Sequence, residues 1–327
     1  MELKHTLYNQ IFKFMSIDTE QIVNNMSKDD LISVMEDILK RNCETMFQLT
    51  FQWAQTHKKN SEKTNFALYM IQQQIANIRS ILKLTPGIQI SEKIKDSVVI
   101  EPTSVVSLVR TMYERTFIFK SIYANPSSNE EQDILFNLWI IKGLKNRQGL
   151  KYIPSIYLSQ QEKERQQIEA CFNKIISILE RLSITSETKD KIIEISRDKS
   201  LTPIGYKFIK DSTGKIIDFK KISLSSSSFE LFGQKFPPLY KYLSIHAHPS
   251  YLGVLQFSQM FDEEEDNKDF LKTLLVCAGF CQGQMASDFI SAISGAKEIF
   301  DSFEQEEINY LTLPSLMLEQ LKRQNSI

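Results

Sequence analysis

Residues 28–55 read KDDLISVMEDILKRNCETMFQLTFQWAQ. Their apolar side chains Leu31, Ile32, Met35, Ile38, Leu39, Met46, Phe47 and Phe51 recur at three- and four-residue spacing, which gathers them on one face of an α-helix. Asp29 and Asp30 stand at the start, where carboxylates complement the positive end of the helix dipole. The stretch reads as one long amphipathic helix. Residues 61–84 repeat the pattern through Phe66, Ala67, Met70, Ile71, Ile75, Ile78 and Ile81, until Pro86-Gly87 stops it. Only a short polar turn at residues 58–60 separates the two, so an antiparallel helical hairpin is expected.

The same pattern extends outward along the chain. Pro102-Thr103-Ser104 opens a helix that runs to about Ala124, where Asn125-Pro126 ends it. Ser128 followed by Glu131 resembles a capping box for the next helix, through Leu135, Leu138, Trp139 and Ile141. Further helices are expected at 159–182, at 186–196, before Pro249, over 269–303, and in a short tail from Pro314. Ten Gly and nine Pro in 327 residues leave few obligatory turns, which favours long helices over a many-stranded sheet. Residues 198–238 differ. Asp211-Ser-Thr-Gly214 lies between Tyr206, Phe208 and Ile209 on one side and Ile216, Ile217 and Phe219 on the other. That suggests a β-hairpin with Gly214 in the left-handed conformation, a helix from Pro203 being the competing reading. Ser225 to Ser228 reads as a flexible loop. The expected fold is all-α: a single domain over 1–327, a multi-helix bundle of long antiparallel helices with an irregular or β-hairpin insertion at 198–238.

Composition narrows the function classes. Hydrophobic residues at 42% and charged residues at 24% are ordinary globular values. The 39 basic and 40 acidic side chains nearly cancel, so the chain as a whole has no net pull toward nucleic acid or an anionic membrane. Cys43, Cys171, Cys277 and Cys281 are too sparse for a disulfide scaffold and fit a reducing compartment. The most apolar stretch, 271–280, is far shorter than the ~20 residues a bilayer requires. No export or membrane signal is read, and a cytoplasmic location is the expectation.

The segment Tyr240-Lys-Tyr-Leu-Ser-Ile-His-Ala-His-Pro-Ser250 holds two of the chain's four histidines. On a helix, Tyr240, Ser244 and His248 stand at i, i+4 and i+8 and line one polar ridge. Pro249 disfavours helical geometry at His248 and ends the helix there. A histidine at a helix C-terminus is favoured in its protonated form, which suits a general acid. The plainer reading is a C-terminal cap, with Tyr240 and Ser244 as satisfied interior groups. Arg110 and Glu114 share one face of an earlier helix on which Val106, Tyr113 and Phe117 indicate burial. They form either an ordinary i, i+4 ion pair or part of a site.

An Arg-x-x-x-Glu helix carrying Arg110 and Glu114, followed later by a Tyr-x-x-x-Ser-x-x-x-His helix carrying Tyr240, Ser244 and His248, resembles an uncharacterised family of bacterial all-helical proteins, over roughly residues 28 to 290. The chain is also loosely similar to helical ribonucleases and nucleotide-binding domains of prokaryotic defence and toxin systems. Those enzymes place an arginine four to six residues before a histidine on one helix, a spacing absent here. The resemblance implies a metal-independent ribonuclease or nucleotide-acting enzyme linked to defence. His248 would exchange protons, Arg110 would stabilise charge on the phosphate, Glu114 would orient Arg110 or the histidine, and Tyr240 and Ser244 would supply hydrogen bonds. The other class is a non-catalytic helical interaction or scaffold protein. RNA, a nucleotide or another protein is the expected partner, with no cofactor.

Weaker features complete the reading. Cys277 and Cys281 lie one helical turn apart and with His246 and His248 supply a possible zinc set, but Ala278, Gly279 and Gly283 point to close helix packing, and no metal is expected. Asp262-Glu-Glu-Glu-Asp266 reads as a solvated loop or helix start. Lys142, Lys145, Arg147 and Lys151, beside Tyr152, form a modest basic patch facing either RNA or solvent. No P-loop, dinucleotide fingerprint, HExxH or nucleophile elbow is present.

Overall fold

Helix α1 spans Lys28–Thr56 and α2 spans Glu62–Leu84. Ser61 caps α2 by accepting the Thr64 N–H at 3.1 Å. Cys43 Sγ reaches the Ile75 carbonyl and Arg79 reaches Glu44, contacts that hold the two helices side by side across their short connection. The computed structural model describes residues 28–58, 60–94, 97–149, 154–198, 204–232, 239–248, 250–259 and 264–312. The expected tail helix from Pro314 lies outside the described residues.

The inward stripe of α1 runs through Leu39, Cys43, Met46, Leu49 and Trp53, all buried. Phe47 and Phe51 were expected on that face and instead stand 49% and 52% exposed, stacked on each other at 5.9 Å. Apolar spacing alone does not say which of two adjacent stripes meets the core. Packing chose the one that continues from Leu39.

A strand pair, β1 (Ile88–Gln89) and β2 (Val98–Val99), follows α2. Helix α3 spans Pro102–Phe119. Glu101 caps its start, its carboxylate accepting the N–H groups of Thr103 and Ser104 at 2.8 Å.

The chain divides into two compact units: residues up to Phe119 together with those from Ser225 onward, and Lys120–Leu224. Residues from 225 onward thus fall with the first unit, and the stretch read as an insertion, 198–238, is divided between the two.

In the first unit, α7 (Ser227–Phe232), α8 (Leu239–Ala247), α9 (Tyr251–Gln259), α10 (Glu264–Ala292) and α11 (Ala296–Phe300) follow. Every residue of α10 from 271 to 283 is buried, because α1, α2 and α3 all pack against it. The 271–280 run is buried on all sides because it lies among these three helices, and its two polar side chains are bonded back within the helix, Lys272 to Asp269 and Thr273 to the Asp269 carbonyl. The expected unbroken helix to 303 turns at Gly295, whose φ of +82° separates α10 from α11. Ser227 and Ser228 are buried at the start of α7, so the flexible loop expected at 225–228 is replaced by a turn and a helix. No helix among the described residues is long and apolar enough to cross a membrane.

In the second unit a π-helical turn, Lys120–Ala124, precedes α4 (Asn129–Gln148), α5 (Leu158–Arg181) and α6 (Ser186–Arg197). Ser128 caps α4 as expected, but Glu131 reaches one residue further back than a capping box requires, to the Ser127 N–H. Strands β3 (Ile204–Lys210) and β4 (Ile216–Ser223) form the hairpin, with Phe208 opposite Phe219 and Gly214 at φ +83°. The competing helix is not adopted by residues 204–210. Asp211 accepts the N–H groups of Thr213 and Lys215, which closes the turn.

Candidate functional site

Arg110 and Glu114 lie on α3, one turn apart. Val106, Val109, Met112, Tyr113 and Phe117 anchor the neighbouring faces of that helix in the core. The Arg110 guanidinium meets three partners. Its Nε donates to Glu114 Oε1 at 3.0 Å, its Nη2 to the Tyr240 hydroxyl at 2.9 Å, and its Nη1 lies 2.8 Å from His248 Nε2. Its Cζ also sits 5.2 Å from the centre of the Tyr240 ring. Two segments 130 residues apart in sequence are thereby joined at one cation.

A guanidinium can only donate, so the bond to His248 requires an unprotonated Nε2 and leaves the imidazole proton on Nδ1. In this arrangement His248 is an acceptor, a base rather than the general acid its helix-end position suggested. Tyr240 accepts from Arg110, which leaves its own hydroxyl proton uncommitted among the described residues. The cluster is not sealed. The Arg110 and Glu114 side chains are 21% and 29% exposed, and His248 is exposed at its edge.

The geometry separates the two histidines. His246 packs edge-on against Tyr242 and Phe270, at 4.8 and 5.1 Å, away from Arg110. His248 follows the last residue of α8, and that single step brings it to the cluster. Ser244 shares the ridge of α8, but its Oγ is buried without a hydrogen-bond partner among the described residues and does not join Arg110.

Four supporting residues, Ser250, Tyr113, Ser227 and Ser228, were not singled out as part of the site from the sequence. Ser250 donates to the Ile245 carbonyl at 2.9 Å and accepts the Gly253 N–H at 3.1 Å. One hydroxyl thus closes the end of α8 and the start of α9, fixing the turn that carries His248. A serine three residues before the Gly253 amide is an N-cap pattern, and that signal was readable. Tyr113 packs its ring 5.9 Å from Tyr240 and shares its hydroxyl with Ser227 and Ser228 at 2.7 and 3.0 Å. Burial pushes the Tyr113 phenol up to about 12, against the opposing pull of the two serines, so it stays neutral. Nothing in the local sequence links Tyr113 to the serines.

The other candidates have different places. Cys277 and Cys281 are buried thiols, Cys277 pushed up to about 12 by burial and Cys281 well above its ordinary value, which disfavours thiolate ligation. No three His, Cys, Asp or Glu side chains are grouped to hold a metal among the described residues. The 262–266 acidic run is described from Glu264, where it opens α10. In the basic patch, Lys142 binds the Asp198 carbonyl, Lys145 the carbonyls of Ser196 and Arg197, and Arg147 the buried Glu164. Lys151 and Tyr152 lie outside the described residues. Comparison with protein-family models, curated proteins and solved structures finds no match.

Proposed function

We propose that the Arg110–His248 cluster cleaves single-stranded RNA by attack of a 2′-hydroxyl on the adjacent phosphodiester. The observation that carries this reading is Arg110 bonded at once to a basic imidazole, a phenol and a carboxylate at a partly open surface. The phosphate takes the arginine N–H groups now directed at His248, and His248 Nε2 accepts the 2′-hydroxyl proton. Arg110 offsets the charge that builds on the non-bridging oxygens. Tyr240, whose hydroxyl proton is uncommitted, donates to the leaving 5′-oxygen. The products are a 2′,3′-cyclic phosphate and a 5′-hydroxyl. Glu114 touches only Arg110 in the cluster and holds its plane.

The test is cleavage of a 5′-labelled single-stranded RNA in the presence of a chelator. His248→Ala and Arg110→Ala should each lower the rate by about a hundredfold or more, the scale of a lost proton-transfer group or charge stabiliser. Equal rates for both variants and the parent would overturn the assignment. A second reading, a protein-binding module, is favoured by α9, where Tyr251, Leu252 and Val254 are 79%, 54% and 58% exposed. On that reading Leu252→Ser with Val254→Ser abolishes partner capture and the Arg110 variants leave it intact.

A further inference from the structure

Arg115 lies on α3 after Arg110 and Glu114 and has no part in their cluster. Its Nη1 donates to Gln74 Oε1 at 2.9 Å, its one hydrogen bond among the described residues. Gln74 is fully buried and held at its other end, where its Nε2 donates to Thr116 Oγ1 at 3.2 Å. The buried Thr116 hydroxyl lies in turn on the Met112 and Cys281 carbonyls. A neutral amide therefore orients the Arg115 guanidinium without offsetting its charge. Burial lowers Arg115 to about 10 and no carboxylate raises it again, so at neutral pH it remains a cation with part of its hydration removed.

The carboxylates of the helices around it are placed elsewhere. Glu114 is bonded to Arg110. Glu62, the one acid of α2, lies about three turns before Gln74. On α10, Asp269 meets Lys272 and Asp288 accepts from Gln284. Glu264, Glu265 and Asp266 belong to the first turn of α10, about four turns before Cys281. The other arginines described in this unit, Arg41, Arg79 and Arg110, each meet a carboxylate.

Successive helical residues are about 100° apart, so Arg110 and Arg115 flank the exposed Thr111 on the outer face of α3, about 7.5 Å apart along its axis. Arg110 turns to Tyr240 on α8 and Arg115 to Gln74 on α2. We infer that Arg115 is a second phosphate subsite, which binds a neighbouring phosphodiester of the strand whose scissile phosphate Arg110 holds. Resting on the cleavage proposed above, this subsite makes the substrate an oligonucleotide rather than a mononucleotide. The guanidinium fork matches the non-bridging oxygens of a phosphate, which offsets the charge that Gln74 leaves. A phosphate contact carries no base information, so the subsite selects length and not sequence.

The experiment compares kcat/KM for a dinucleotide, which has only the scissile phosphate, with that for a single-stranded pentanucleotide, in the presence of a chelator. The parent should prefer the pentanucleotide by about tenfold, the scale of a hydrogen-bonded charge contact, and Arg115→Gln should erase most of that preference. Gln74→Glu, which gives the guanidinium a carboxylate within the fold, should erase it with Arg115 still in place. Partial unfolding lowers both rates alike and leaves their ratio intact, so a ratio preserved in both variants would overturn the subsite. A second readout is fluorescence anisotropy of a labelled single-stranded RNA on the full chain carrying His248→Ala. Adding Arg115→Gln should weaken binding and reduce the salt slope by about 0.7. Weakened binding by a chain that cleaves nothing sinks the cleavage and keeps the subsite, whereas cleavage with an undiminished preference does the reverse.

Discussion

Arg110 holds three acceptors in one plane, and only a guanidinium can do so. Lysine keeps the charge but places it at a point, with no fork to satisfy Glu114, Tyr240 and His248 together. Arg110→Lys should therefore cleave RNA nearly as poorly as Arg110→Ala, about a hundredfold down, with an unchanged circular dichroism spectrum. Retention of activity within about threefold would show that charge alone suffices and the fork is idle. A second residue is tested by stability. Gly295 has φ +82°, and a Cβ there would sit 2.7 Å from His57 Nε2. His57 is not free to move, since its ring stacks on Trp53 at 4.3 Å while Trp53 Nε1 donates to the Ser294 carbonyl. Gly295→Ala combines left-handed strain with a steric clash and should lower unfolding free energy by about 1–3 kcal/mol in urea. A smaller loss would mean that His57 swings aside.

At the scale of elements, the site depends on the turn between α8 and α9. Ser250→Ala removes both of its caps, each of the order of 1 kcal/mol, and frees the backbone that presents His248. Activity should fall about tenfold, and Ser250→Thr, which keeps the hydroxyl, should restore most of it. Rates that follow the hydroxyl rather than overall stability identify Ser250 as a positioning residue. Local spacing made the elements legible. The 28–55 and 61–84 patterns, the Ser128 cap and the Gly214 turn all report interactions within a few residues. It could not report which helices meet. Arg110 with Glu114, and Tyr240 with His248, were each readable as neighbours on their own helix. Their convergence depends on α3 and α8 packing together, which no local pattern encodes. Phe47 and Phe51 were misassigned for the same reason, and α9 went unseen because its exposed apolar face has no helical alternation.

For the molecule as a whole, the buried thiols and phenols set an alkaline limit. Burial pushes Cys43 and Cys277 from 9.0 to about 12, and Tyr113 and Tyr206 from 10.0 to about 12. In each case the folded state keeps its proton over an interval in which the unfolded state has released it. Raising the pH through that interval therefore favours unfolding. The stability is fully present below about pH 9 and is lost as pH climbs toward 12, at most ~1.4 kcal/mol per pH unit for each group. Both thiols lie in the unit that holds Arg110 and His248, whereas Tyr206 lies in the other unit. Between pH 9 and 10 the first unit should weaken before the second, and cleavage should fail with it. Melting temperatures at pH 8, 9, 10 and 11 check this, with Cys277→Ala as the control. That variant starts lower, because it leaves a small cavity in α10, but its decline from pH 9 to 10 should be shallower than the parent's. Parallel declines would mean that Cys277 already meets solvent and that the axis of the bundle is not the sealed core described above.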